Sequence, residues 1–433
     1  MHSLVKPVLF FVVVRIVQYA IISLSPNKQF DLSTNLLLAK YCSEQETQQF
    51  WHRHLFNKLL SWDSVFFIKT AMTMDGYPEY EHEWAFSVIW SSLIRSVSPS
   101  NNFYTVLKTA VILENLIYFM AMITLFYLTR ITFGKLDKSK THLSDKLATF
   151  TAILFSCNSG SGFFTGPYSE PLSFLFSFLG ILAREFSVTP IIPYGLEFKS
   201  SKIFYYTIVS SFCFTIATLN RSNCILLGFY YVFDSIYLIR RQKYKKALLF
   251  PVLAGCIVAL FFVRQQFYIP YKNFCELRGE WCNESLINFK PLHFLTRKSL
   301  YSYIQSEHWN LGLFNYWTPN NIPNFLFGLP TFVILFSSTF YFSRVYPNYK
   351  LKPLIFITRA FTIIILLFAH VQIINRISTF IPLHLWYISD RFVKFEANKK
   401  MTGDDWIVKG YIYWLIFWVP IQTSLFAFFL PPA

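Results

Sequence analysis

Residues 106–128 read VLKTAVILENLIYFMAMITLFYL, with Glu114 as the only acid. A run this long and apolar spans the ~30 Å hydrocarbon core of a bilayer as a helix. Five more runs are as clear: 4–24, 247–263, 323–342, 354–374 and 411–430. Five others are shorter or broken, at 148–164, 168–183, 203–219, 223–239 and 377–390. To cross at all, these must tilt, kink or re-enter. The pattern predicts an all-α polytopic membrane protein, a single integral-membrane domain over 1–433 with about eleven transmembrane segments. Composition agrees. Charged residues make up 14% of the chain, against roughly a quarter in soluble domains.

The charges then orient the chain. Its net charge is +16, which in a soluble protein would suggest nucleic acid. Here the cations lie in short loops between apolar runs, where Lys and Arg set topology. Loops 129–147, 184–202, 240–246, 343–353 and 391–409 hold over half of the 39 Lys and Arg. With eleven crossings all five loops fall on one face, which the positive-inside rule makes cytosolic together with the N-terminus. The first run, 4–24, lacks a small-residue cleavage site and reads as an uncleaved signal-anchor. The opposite face receives two long loops, 25–105 and 264–322, and three tight turns at 157–170, 220–223 and 370–376. Cys275 and Cys282, in CELRGEWC, would pair if that face is oxidising. Asn283 begins an NES glycosylation sequon, while Asn220 in NRS lies too near the membrane to be modified. Cys157, Cys213, Cys224 and Cys256 read as small buried hydrophobes. No CxxC pair points to metal, and no cofactor is expected.

Four polar constellations fall on the non-cytosolic face. The first is SWDSVFFIKTAMTMDGYPEYEHEWAF in loop 25–105. Asp63 follows Trp62 and precedes Phe66 and Phe67, an aromatic setting suited to the membrane interface. A carboxylate there is costly unless it has a task. Asp75, Glu79, Glu81, His82 and Glu83 follow; a solvated loop is the plain alternative for most of them. The second is the turn holding Gly160, Gly162 and Gly166, then Tyr168, Ser169 and Glu170. Its glycines allow a sharp turn and close approach of backbone to a ligand, or merely a packed turn. The third is Asn220-Arg221-Ser222-Asn223. The fourth holds His370, Gln372, Asn375 and Arg376. Both arginines offer forks of donors to a phosphate; snorkelling to the interface is the alternative. Arg15, Glu114 and Arg359 lie within spans and read as structural pairs.

These parts suit sugar transfer from a lipid phosphate. The phosphate leaves readily, so the acceptor hydroxyl mainly needs a base. Asp63 is the candidate base, and Arg221, Arg376 or His82 would hold the phosphate without metal. Attack from the face opposite the phosphate inverts the anomeric carbon.

The four constellations, in order, resemble the PIG-V family of glycosylphosphatidylinositol (GPI) mannosyltransferases. Trp62, Asp63 and Ser64, then Phe67, Gly76, Tyr77, Glu81, His82, Ala85 and Phe86, fill its first motif. Tyr168, Ser169 and Glu170 match its YSE. Arg221, Ser222 and Asn223 match its RSN, and His370, Val371, Gln372 and Arg376 its HVQ followed by Arg. The sequence departs at Ser64, Glu83, Trp84 and Ser87, which bears on the acceptor pocket more than on the reaction. The resemblance implies a GT-C fold, endoplasmic-reticulum residence and dolichyl-phosphate mannose as donor. It also implies an α1,6 linkage, by an inverting mechanism, onto the first mannose of a GPI precursor. His82, His370 and Gln372 would join Arg221 and Arg376 at the donor. Trp62, Glu81, Tyr168, Glu170 and Asn223 would shape the acceptor site. A small membrane accessory subunit is a further expected partner.

Two rivals remain at this stage. A transporter would use the intramembrane charges, but would show internal repeats and polar residues at the midplane. A non-catalytic subunit of a glycosyltransferase complex would tolerate loss of Asp63. A last expectation concerns the lipid: segments 148–164 and 168–183 would form the groove for the dolichyl chain.

Overall fold

The structure, a computed structural model, describes residues 2–27, 29–73, 76–136, 141–191, 195–198, 202–275, 280–283, 298–347, 349–398 and 402–430. Asp75 lies outside the described residues. The chain opens with α1 (His2–Leu24), then α2 (Ser33–Tyr41), α3 (Phe50–His54), α4 (Asp63–Met72) and α5 (Val88–Val97). Next come α6 (Phe103–Leu136), α7 (Thr141–Ser156), α8 (Glu170–Ser187), α9 (Ile203–Asn220), α10 (Phe229–Arg240) and the helical run α11 (Tyr244–Phe274). The last are α12 (Leu300–Glu307), α13 (Ile322–Val345), α14 (Lys352–Phe368), α15 (Leu383–Asn398) and α16 (Gly403–Ala427). A two-stranded hairpin, β1 (Val188–Ile191) with β2 (Gly195–Phe198), follows α8.

The chain is a multi-pass membrane protein. Among the described residues, seven helical runs are long and apolar enough to cross: Leu4–Leu24, Phe103–Gly134, Ile203–Asn220, Ser222–Arg240, Tyr244–Phe274, Pro319–Val345 and Tyr349–Phe368. The count of eleven is not reached. Segments 148–164, 168–183, 377–390 and 411–430 do form helices, but these are too short or too polar to qualify on length and composition. Loop 25–105 is also largely helical, since α2 to α5 lie within it.

Contacts join four of the five basic loops, and further pairs brace them from within. Arg130 pairs with Asp145 at 2.6 Å, Lys146 with Glu396 at 3.5 Å, and Arg184 with Asp234 at 2.7 Å. Buried Lys350 pairs with Glu185 and donates to the Thr132 carbonyl at 3.2 Å. A stripe of aromatic rings fixes the core. Tyr118, Phe155, Phe174 and Phe178 lie 5.1–6.4 Å apart, mostly edge to face, the geometry that ring quadrupoles prefer. Arg15 and Glu114 pair at 3.4 Å inside the bundle, as expected of charges within spans. Among the described residues Arg359 has no carboxylate partner; it donates to Thr339 Oγ1 at 3.1 Å and Ser343 Oγ at 3.2 Å. Cys157, Cys213 and Cys224 are buried or half-buried, whereas Cys256 is exposed on the outer face of α11.

The two long loops build a small core of their own at the opposite end. Trp84 and Val88 pack with Phe274, Trp281, Leu300, Tyr303 and Ile304. Cys275 and Cys282 are bonded beneath it, and Trp281 Nε1 donates to the Lys298 carbonyl at 2.8 Å. Asn283 ends the short turn Glu280–Asn283; the rest of its sequon lies outside the described residues.

Candidate active site

Three helix ends and one irregular stretch converge beside this small core. Glu170 opens α8, where an acid complements the helix dipole and Pro171 suits the first turn. Arg221 caps the C-terminus of α9. Arg376 sits in the irregular stretch between α14 and α15. Asp63 is the first residue of α4, and the preceding Trp62 has φ 58°. A non-glycine residue there costs about 1–3 kcal/mol of backbone strain. Trp62 is held in it by its indole, which donates to the Leu430 carbonyl at 3.2 Å and lies tilted against Phe429 at 5.2 Å. Trp62 therefore turns the chain into Asp63, and its own ring packs against the end of α16.

The four charges form a closed quartet. Arg376 Nη2 lies 2.8 Å from Asp63 Oδ2, and Arg376 Nε lies 2.9 Å from Glu170 Oε1. Arg221 Nη2 lies 2.6 Å from that same Glu170 oxygen and 3.7 Å from Asp63 Oδ2. Two cations and two anions balance to zero, which is what makes such burial tolerable. Burial opposes the charged guanidinium of Arg376, yet Asp63 and Glu170 hold its pKa above the ordinary value. The Asp63 side chain is 20% exposed, against 3% for Glu170. Asp63 is thus the carboxylate open to a ligand, and Glu170 the one that holds both arginines.

Neighbouring polar groups lock the quartet in place. Asn220 is buried and cannot carry a glycan. Its Nδ2 donates to the Ser169 carbonyl at 2.7 Å, and its Oδ1 accepts from Ser87 at 2.5 Å. Tyr168 is fully buried and donates to the Ser61 carbonyl at 3.2 Å, tying the second constellation to the first. The glycine-rich turn approaches protein, not ligand. A Cβ at Gly160 would sit 2.9 Å from Arg376 Cα, so this glycine lets the Arg376 backbone close on the turn.

The remaining candidates divide. Arg221, Asn223 and His370 line a cavity of ≈ 280 Å³ walled by Trp84, Phe86, Trp309 and α14. His82 lies elsewhere, against Tyr80, Phe66 and His308 at 5.5–6.2 Å. Burial lowers the pKa of both His82 and His370, which favours neutral rings over phosphate-binding cations. Glu81 begins the short turn Glu81–Ala85, outside the quartet. Gln372 points away from the cavity and accepts from Tyr316 at 3.0 Å. Glu79 and Glu83 pair with Lys69 at 3.0 and 2.5 Å. Among the described residues no three His, Cys, Asp or Glu gather as a metal site.

Two features escaped the sequence. Tyr301, on α12, lines the cavity within electrostatic reach of all four quartet charges. Burial raises the pKa of its phenol, so it stays a hydrogen-bond donor. Nothing in the bare sequence around 301 marks it, because only the folding of the second loop over the first brings it there. The apolar groove also differs from expectation. Segments 148–164 and 168–183 are interior, with α8 buried along most of its length. The cavity's apolar wall comes instead from Ile225 and Leu226 and from Phe361, Ile364, Ile365 and Phe368 of α14.

Comparison with known proteins now bears on this site. Residues 4–433 match the family model described as Mannosyltransferase (PIG-V). The chain is 49% identical to GPI mannosyltransferase 2 of Saccharomyces cerevisiae, covering 98% of this chain and 99% of the relative. It is 45% identical to the Kluyveromyces lactis protein of that name, covering 98% and 96%. The Candida albicans protein of that name is 32% identical, covering 98% of each. Two solved structures of the Archaeoglobus fulgidus oligosaccharyltransferase are similar at TM-scores 0.39 and 0.41 and 11% and 10% identity. They cover 85% and 96% of this chain, which spans about half of theirs (48% and 55%). That likeness is too slight to fix the fold.

Proposed function

This chain belongs to the PIG-V mannosyltransferase family and is a glycosyltransferase of GPI-anchor biosynthesis; from that premise we propose that it adds the second mannose, α1,6-linked, from dolichyl-phosphate mannose to a GPI precursor bearing one mannose. The reaction runs at the lumenal face of the endoplasmic reticulum, on a bundle of the GT-C type. One observation carries the reading. Asp63 meets the guanidiniums of Arg376 and Arg221 in one cluster, and Arg221 also lines a cavity with one polar end and one apolar wall.

In the resting state Asp63 is occupied by Arg376. The donor phosphate enters as a competing anion and recruits guanidinium donors of Arg221 and Arg376. Asp63 then loses its cation and is free to take a proton. The acceptor hydroxyl gives its proton to Asp63 as its oxygen attacks the anomeric carbon. The bond from that carbon to the phosphate oxygen breaks on the opposite face, its electron pair leaves with dolichyl phosphate, and the configuration inverts. Glu170 keeps both arginines aimed throughout. The dolichyl chain runs along Ile364 and Phe368 of α14. The reading is tested in microsomes with labelled dolichyl-phosphate mannose: chain-dependent conversion of the one-mannose precursor to the two-mannose product is expected, and its absence would refute it.

Two further results are expected. Tyr301 donates to the departing phosphate, a hydrogen bond to a charged group. Tyr301→Phe should then lower kcat about 10- to 100-fold with both KM values nearly unchanged. An unaltered kcat would reduce Tyr301 to packing. Ile364→Gln with Phe368→Gln should raise KM for the full-length donor several-fold, while a donor with a short lipid is used as before. Equal effects on both donors would remove the lipid from this wall.

A further inference from the structure

The segment between α1 and Asp63 carries a second cavity that the transfer chemistry leaves unused. Its volume is ≈ 760 Å³, and its polar lining includes Asn27, Gln29, Asn35, Glu44, Gln48, Arg53 and Asn57. Cavities of about 300–1,000 Å³ hold small-molecule ligands. Gln29 and Asn57 are committed to the frame: Gln29 Nε2 donates to Ser61 Oγ at 3.1 Å, and Asn57 Oδ1 accepts from Tyr104 at 2.9 Å. The side chains of Asn27, Asn35, Gln48 and Arg53 make no hydrogen bond among the described residues. Planar amides pair with vicinal hydroxyls, and a guanidinium pairs with phosphate.

The height of this cavity is set by Lys58. The lysine is buried, and its Nζ donates to the carbonyls of Ile22 at 3.0 Å and Ser23 at 3.2 Å, and to that of Ser25. These carbonyls close α1, so the segment is latched where the first span ends. Large apolar side chains stand out around it: Leu24, Phe30, Leu32, Leu36, Phe50 and Trp51 are 62–85% exposed. The other side of α2 is buried through Thr34, Leu37 and Leu38. Large apolar side chains exposed at the end of a span suit the lipid interface.

We propose that this cavity binds the polyol-phosphate headgroup of a lipid in the leaflet next to the active site. Exposed Leu36, Phe50 and Trp51 would seat α2 and α3 in that leaflet, and Arg53 would meet the phosphate. The amides of Asn35 and Gln48 would take the ring hydroxyls. The site deepens the functional reading above, and rests on it, in one respect: the GPI acceptor carries such a headgroup. Asn57 at the edge of the cavity lies six residues before Asp63 and Arg53 ten, so they are at most about 22 and 36 Å from it along the chain. That spacing suits a glycolipid whose inositol phosphate rests here while its mannose reaches Asp63. An ordinary inositol phospholipid has the same chemistry and is the second source.

The test uses the purified full chain and the variant Gln48→Ala with Arg53→Ala. Thermal stabilisation by glycerophosphoinositol is titrated, and transfer is assayed in parallel in vesicles with and without added phosphatidylinositol. The wild type is expected to bind the soluble headgroup, and the variant about tenfold more weakly. A tenfold rise in acceptor KM, with donor KM and kcat unmoved, assigns the site to the acceptor. Unchanged acceptor KM with weakened headgroup binding assigns it to the bulk lipid. Absence of headgroup binding by the wild type, or equal binding by the variant, overturns the proposal whatever the transfer assay gives. A wild type that binds the headgroup but transfers no mannose would instead refute the functional reading alone.

Discussion

Asp63→Asn is expected to lower kcat by about 10²–10⁴-fold, the range removed with a general base, and to leave precursors bearing one mannose to accumulate. The substitution keeps the shape of the side chain and removes its capacity to take a proton. It should not unfold the protein, because Asp63 is the most exposed of the four charges and Glu170 still answers both arginines at 2.9 and 2.6 Å. The donor KM carries the sharper test. In the resting quartet Asp63 competes with the phosphate for Arg376. Removing the carboxylate charge frees that guanidinium, so donor binding should hold or tighten while turnover collapses. Labelled dolichyl-phosphate mannose in microsomes measures both. A variant that transfers mannose at the wild-type rate would leave Asp63 a structural partner of Arg376. It would also revive the view of the chain as a scaffold.

Which faces meet was legible from charge. Four of the five basic loops are linked, through Lys146–Glu396, Lys350–Glu185 and the bond from Lys350 to the Thr132 carbonyl. The pairing of Arg15 with Glu114 was equally readable, since two opposite charges inside apolar runs have few other partners. Asp63, Glu170, Arg221 and Arg376 could be nominated because each breaks an apolar context. Their mutual neutralisation could not, because it depends on how three helix ends and the stretch holding Arg376 are aimed. The same limit explains Gln372 and His82. Each lies in a polar stretch beside a true member, and rotation of a short turn sends it to Tyr316 or to Tyr80. Short apolar runs misled in another way. A short apolar run in sequence fits a lipid groove and a buried helix equally well, and α8 is the buried helix. Tyr301 and the cavity near α2 were hidden for a third reason: both sit in loops whose helices show no long periodic signal.

Arg376→Met should be the most damaging single change to the fold at this site, and it separates charge balance from chemistry. Removing Arg376 leaves Asp63 and Glu170 facing Arg221 alone, a net negative charge beside a buried carboxylate that is 3% exposed. Breaking a buried ion pair in this way costs about 3–5 kcal/mol, read as a fall in the melting temperature of the detergent-purified protein. The cation also covers the rings of Phe163 and Tyr168 at 5.0 and 5.3 Å, contacts that Met only partly replaces. Arg376→Met combined with Glu170→Gln restores neutrality, since Asp63 and Arg221 then balance. Its melting temperature should recover most of the loss. Its transfer rate should not, because the phosphate still lacks the fork that Arg376 presents. Arg376→Lys should fall between. It keeps the charge and most of the stability, but an ammonium cannot serve Asp63 and Glu170 at once from two nitrogens, so its donor KM rises. If the neutral double variant transfers mannose as the wild type does, Arg376 serves the fold alone and the phosphate must be held by other groups.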